Sequence, residues 1–320
     1  MPDLKDIIHE KLDRINKIPA KFQTEVEISQ KQIFNKILAK LNGLDLDPKG
    51  AVLPTSNNLA MIKELGTDLK KIISDPKGKY MDAVSSFINE FSEQKTLTNS
   101  IFNKTFEEAF NPKGFEPLFQ NSVKTATSLV ANSAVTEQVV AFEDMLQTAI
   151  GSGDTYNNIV KNISTLIQGD DKIPGTMQRY AKQNAKDIFS VADRQYSKAI
   201  ADELDAQFFE WAGGLIATSR PFCIERDGNV YHKKEIEAWG SGKKTQGLNW
   251  PKNGKWAGRA SGTSAQTIFA LAAGYFCDHV PIPVGLKYVP IDVLRRAIKN
   301  GYIKKKDLPK DTKNNLYSNK

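Results

Sequence analysis

The sequence predicts an α+β chain, with a mostly α-helical N-terminal region followed by a small, loop-rich α+β C-terminal domain. Apolar residues recur every three or four positions through most of the chain before Phe208, which is the helical period. The stretch from Trp211 to Val284 instead holds all four tryptophans, both cysteines, two of the three histidines and about half of the glycines. Rigid aromatics and glycines in that density describe a domain shaped by specific contacts and not by periodicity.

Leu4, Ile8, Leu12 and Ile15 form the first stripe, and Ile18-Pro19 predicts its end or a bend, because the residue before a proline is pushed out of the α region. Phe22, Val26, Ile33, Ile37 and Leu41 form the second, which runs to a stop at Asn42-Gly43. Their spacing approximates a heptad, compatible with a partner helix or with ordinary packing inside the domain. Asp47-Pro48-Lys49-Gly50, Asp75-Pro76-Lys77-Gly78 and Asn111-Pro112-Lys113-Gly114 read as turns, each combining an Asx residue, a fixed φ and a glycine able to take φ > 0. Between and after them lie helices carrying Leu65 and Leu69, Phe87 and Phe91, and Phe102, Phe106 and Phe110, a phenylalanine series that reads as core.

Helices continue from about Pro117 to Leu204. Gly151-Ser152-Gly153-Asp154 closes one and supplies the N-cap of the next, and the loop 169–175 is a candidate hinge before a long helix from Thr176. The organisation expected is an unassigned helical region over 1–135, a helical linker or docking region over 136–205, a compact domain over 206–285 and a basic tail over 286–320.

Within the compact domain the order of features is informative. A strand around Phe208 to Thr218, broken at Gly213-Gly214, leads to Cys223. A turn at Asp227-Gly228 then precedes Val230 to His232 and a short helix, with Glu235 at capping-box distance from His232. A glycine-rich loop through Trp250, Trp256, Gly258 and Gly262 ends in Gly274-Tyr275-Phe276-Cys277-Asp278-His279. Cys223, His232, Cys277 and His279 are the candidate metal ligands. Cys277 and His279, two apart, would share one face of a strand, with Cys223 on a neighbouring strand. Cys and His suit tetrahedral Zn²⁺, although these spacings are not those of a standard finger. A structural zinc, buried unliganded thiols and a Cys223–Cys277 disulfide all fit the residues, and His232 also fits a helix N-terminus.

The run Ser219-Arg220-Pro221-Phe222-Cys223, then Asp227-Gly228-x-Val230-Tyr231 with Glu235-Ile236, then Trp239, then Gly274-Tyr275-x-Cys277-x-His279 resembles the phage Mu F-like minor head proteins, the head morphogenesis family of tailed bacteriophages. The resemblance covers roughly residues 140–285, and Asp278 stands where the family usually has a basic residue. It implies a virion structural protein made in the host cytoplasm and built into the capsid interior or portal vertex. Its partners would be the portal and other capsid proteins, and its role would lie in head assembly, DNA packaging or ejection.

The formal charge is +7. Residues 286–320 hold ten Lys or Arg against three Asp or Glu, so the tail carries the whole excess. Arg295, Arg296, Lys299, Lys304, Lys305 and Lys306 are the candidate nucleic-acid contacts, through nonspecific phosphate pairing, with a solvated terminus as the other reading. No run of about 18 apolar residues predicts a membrane span. The N-terminus does not read as a signal peptide. Two cysteines point to a reducing compartment. The chain has no nucleophile elbow, P-loop, HExxH or dinucleotide fingerprint, so it reads as non-enzymatic, and a Cys–His nucleophile pair is the catalytic exception. A cytosolic, zinc-stabilised nucleic-acid-binding protein is the alternative to the virion reading.

Overall fold

The computed structural model describes residues 3–106, 110–243 and 256–316. The helical N-terminal region reaches Glu203, and a small region with a three-stranded antiparallel sheet and short helices follows. The helices are α1 (Leu4–Leu41), α2 (Ser56–Ile73), α3 (Lys79–Phe106), α4 (Glu116–Ser128), α5 (Ala134–Ser152), α6 (Tyr156–Gln168) and α7 (Thr176–Glu203). Then come β1 (Phe208–Ala212), α8 (Pro221–Ile224), β2 (Val230–His232), α9 (Lys233–Gly240), α10 (Ile268–Leu271), β3 (Val280–Pro283), α11 (Ile291–Lys299) and α12 (Lys310–Asn315). Among the described residues no helix is long and apolar enough to cross a membrane. The glycine-rich loop around Trp250 lies outside the described residues over 244–255.

Two compact units partition the chain differently from the sequence boundaries. A helical unit comprises Lys17–Ser92 and Asn121–Phe189; a mixed unit comprises Met1–Asn16, Glu93–Gln120 and Ser190–Lys320. The first 16 residues and the end of α3 therefore belong with the C-terminal sheet, which no local pattern reveals.

In the helical unit each amphipathic stripe is buried: Phe22, Val26, Ile33 and Ile37 on α1, Leu65, Leu69 and Ile73 on α2, Phe142 and Leu146 on α5, Ile159, Ile163 and Ile167 on α6. Phe22 stacks on Phe87 at 4.6 Å, and Phe91 meets Phe189 edge-on at 4.9 Å. Gly66 lets α2 approach α5, since a Cβ there would run into the Glu143 carboxylate. Pro19 sits inside α1 and does not end it. The ring costs about 3 kcal/mol in a helix interior. Ile15, Ile18, Phe22 and Val26 on either side are all buried, and at about 1.5–3 kcal/mol each they outweigh it.

The three predicted turns share one hydrogen bond. The Asx side chain accepts from the backbone N–H two residues on, at 2.8 Å from Lys49 to Asp47, 3.0 Å from Lys77 to Asp75 and 3.2 Å from Lys113 to Asn111. Of the three glycines only Gly50 takes positive φ, at 81°. The N-cap of α6 is Thr155 and not Asp154: its hydroxyl accepts from Asn158 N, while Asp154 binds Thr155 N and the Asn158 amide. The loop 169–175 is pinned by Asp170, which accepts from Lys172 N and Ile173 N, so it is a hydrogen-bonded turn.

In the mixed unit the sheet order is β2-β1-β3, all antiparallel, with Phe208 opposite His232 and Trp211 opposite Pro281. Residues 286–316 do not trail away as a tail. Val289, Val293, Leu294, Ala297, Leu308 and Leu316 form a core cluster with Phe208 of β1, and Val230 and Tyr302 pack against it. Apolar positions at 293, 294, 297 and 298 give α11 one buried face, and its charges take the other. The N-terminal end of α1 is tied in by a buried cluster: Lys11 donates to Thr98 of α3 at 2.5 Å and pairs with Asp193 of α7, and Thr98 donates to the same Asp193 oxygen at 3.0 Å. Burial lowers the Lys11 pKa, and Asp193 opposes that shift.

Candidate metal centre

Cys223 is the third residue of α8, a single turn started by Pro221 at its first position with Arg220 as N-cap. Arg220 also donates to the Tyr275 carbonyl, joining that turn to the one before Cys277. The chain reverses after α10 through Ala272 (φ 48°), Gly274 (φ 118°) and Phe276 (φ 56°). Two non-glycine residues at positive φ are a strained way to turn, held here by surrounding contacts. Trp256 donates to the Ala273 carbonyl at 2.6 Å and stacks on Phe222 at 4.1 Å, which fixes the turn against α8. Trp211, Trp239 and Phe222 meet edge-on around it.

Cys277 and His279 emerge from this turn on irregular residues just before β3, not on a strand, and Cys223 comes from a helical turn, not from a neighbouring strand. The expected strand geometry is thus corrected. Arg194 of α7, itself buried, donates to the carbonyls of Cys277 at 3.4 Å and His279 at 3.1 Å and anchors the segment.

The ligand atoms of Cys223, Cys277 and His279 all lie within 4.8 Å of one another, and all three residues are buried. Both cysteines are free thiols. Cys277 Sγ is 3.8 Å from His279 Nδ1. The Cys277 thiol is held well below its usual range, first by the hydrogen bond from Cys223 and then by His279 and Arg194, with burial opposing. The Cys223 thiol is pushed up by the same hydrogen bond and by burial. This Cys2His group could hold a metal ion.

His232 is not part of the group. Its Nδ1 accepts from Lys234 N at 3.1 Å, and its own N–H donates to Glu235 at 2.9 Å, the reciprocal capping box of α9. The ring stacks on Tyr302 and meets Phe208 edge-on. Burial, reinforced by Lys234 and Lys233, lowers its pKa to about 4. Of the candidate metal ligands the structure therefore joins Cys223, Cys277 and His279 and leaves His232 as a helix cap.

The candidate nucleic-acid contacts also divide. Arg296 is occupied internally, donating to Glu235 at 2.9 Å and to the Val230 carbonyl at 3.1 Å, and Arg295 donates to the Leu316 carbonyl at 2.8 Å. Lys299, Lys304, Lys305 and Lys306 are exposed at the end of α11 and on the turn after it.

Three residues around the metal group escaped the sequence reading. Arg194 lay within the long helix from Thr176 with nothing to single it out, and Gly213 and Asp227 read only as a strand break and a turn. Asp227 Oδ1 lies 3.0 Å from His279 Nε2, at ion-pair distance though not aligned as a linear hydrogen bond. A cleft of about 540 Å³ between the start of α1 and the end of β1 opens onto Asp227, with Lys5, His9, Asp13 and Glu210 on its walls. Burial, and then Asp227, raises the Glu210 pKa.

No family model matches the chain, and neither does any curated protein or solved structure.

Proposed function

We propose that this chain is a non-enzymatic structural component of a tailed-bacteriophage virion, a minor head protein that associates with the portal and acts in head assembly, with its C-terminal domain stapled by zinc at Cys223, Cys277 and His279. The reading rests on the Mu F-like motif residues. The observation that carries it is that two ends of that motif, about 55 residues apart in sequence, supply three ligand side chains within 4.8 Å of each other. Zinc bound there would cross-link the α8 turn to the entry of β3 and add its binding free energy to folding. The chain's own residues do the rest. Arg194 and Arg220 hold the two loops in register, and both thiols are buried.

Exposed Lys299, Lys304, Lys305 and Lys306 would pair with packaged DNA without reading its sequence. The same four lysines favour the alternative, a zinc-stabilised cytosolic nucleic-acid-binding protein. Mass spectrometry of purified particles, with a portal pull-down from the same sample, separates the two. Low, fixed stoichiometry with the portal is expected. Absence from particles, with the protein free in the lysate and eluting with nucleic acid, would replace the virion reading by the alternative.

A further inference from the structure

We infer that Asp227 is the residue that positions the metal-binding imidazole, so that His279 ligates through Nδ1 and presents Nε2–H to the Asp227 carboxylate. This deepens the zinc reading above and rests on it. The geometry has three parts. Gly213, just past the end of β1, leaves room for the histidine: a Cβ there would stand 2.6 Å from His279 Cα and 2.7 Å from its Cγ. Gly214, at φ 72°, turns its N–H onto Asp227 Oδ1 at 2.9 Å and fixes the carboxylate. That same oxygen lies 3.0 Å from His279 Nε2.

The other face of the ring looks the opposite way, with Nδ1 3.8 Å from Cys277 Sγ. A metal takes an unprotonated ring nitrogen, so with Nδ1 ligated the proton must sit on Nε2, and Asp227 is the acceptor the structure supplies. The Gly213-Gly214 break and the Asp227-Gly228 turn thus acquire one common purpose. They hold an imidazole between a carboxylate and a pair of thiols. Because Asp227 also lines the cleft of about 540 Å³, this outer partner of the site faces solvent while the ligands themselves are buried.

The test uses the full chain with Zn²⁺ competed against a chromophoric chelator and Co²⁺ as spectroscopic probe. Wild type should bind one ion, with thiolate-to-cobalt absorption. Asp227→Ala should weaken Zn²⁺ binding by about 10–100-fold at unchanged stoichiometry, and Asp227→Asn should fall between the two. Glu210→Gln, on the same cleft, should bind as wild type does. Imidazole ¹⁵N spectra of the zinc-loaded wild type, which need no variant to fold, should show Nδ1 metal-bound and Nε2 protonated. Zinc affinity in Asp227→Ala within twofold of wild type, or Nε2 as the ligating nitrogen, would overturn the role of Asp227 and leave the zinc reading standing. A wild-type protein that takes up neither ion would overturn both.

Discussion

The helical unit and the mixed unit bury different chemistry. Among the described residues the buried polar side chains of the helical unit are Ser29, Gln30, Asn58 and Gln138, all neutral. Asn58 is satisfied locally by the carbonyls of Asp45 and Leu53, and Gln30 donates to the Ile167 carbonyl. The mixed unit buries Lys11, Asp193, Arg194, Arg226, His232, Glu235 and His279. Apolar burial is non-directional and tolerates exchange of one hydrophobe for another. A buried charge network depends on each member, because a lone partner keeps its full desolvation penalty. The unit with the candidate metal group is therefore the one in which single side chains matter most.

The sharpest way to break that contrast is at Lys11. Lys11→Met leaves the Asp193 carboxylate buried opposite a thioether and should cost about 3–5 kcal/mol in chemical denaturation. The double change Lys11→Met with Asp193→Leu should recover most of it. A loss under about 1 kcal/mol for the single change would mean that the pair carries no such dependence. In the helical unit Leu69→Ala should cost about 3 kcal/mol by cavity formation, yet leave zinc affinity where it was. Altered metal binding in that variant would erase the distinction between the units.

A smaller effect sharpens the comparison through pH. The His232 pKa is about 4 in the folded chain, against about 6.5 when unfolded, so between those values the unfolded state holds more protons. Its contribution is complete above about pH 6.5 and is lost as pH falls toward 4, by about 3 kcal/mol. His232→Asn keeps a capping acceptor but cannot titrate, so its stability should fall less over that window than that of wild type. Parallel stability curves for the two proteins would show that the buried ring contributes nothing to acid sensitivity.

Much of the fold was legible because it is local. Helix positions, the three Asx turns, the end of α1 at Leu41 and the capping box at His232 and Glu235 all depend on residues within a turn or two of one another. Where a local rule failed, a distant contact had outweighed it. Pro19 was overridden by buried neighbours on both sides, and the basic C-terminal segment concealed an α11 face that packs on Phe208.

The candidate site was legible in kind and not in arrangement. Residue type and spacing singled out Cys223, Cys277 and His279, because few side chains can bind a metal and these stood close to glycines and tryptophans. Nothing in the spacing separated them from His232, whose cap geometry and stacking on Tyr302 exist only once β2 and α9 are in place. Nor could the sequence reveal Arg194 behind two carbonyls, Asp227 beside an imidazole or Lys11 against Asp193, pairs that lie from about 50 to 182 positions apart. The sequence by itself determined the helical segments, the turns and the chemical identity of the candidate ligands, since those follow from propensity and from the elements each side chain carries. The tertiary structure decided which ligands meet, which basic residues remain exposed and which residues near the N-terminus complete the C-terminal core. Only the folded chain brings such distant groups within hydrogen-bonding range and removes them from water.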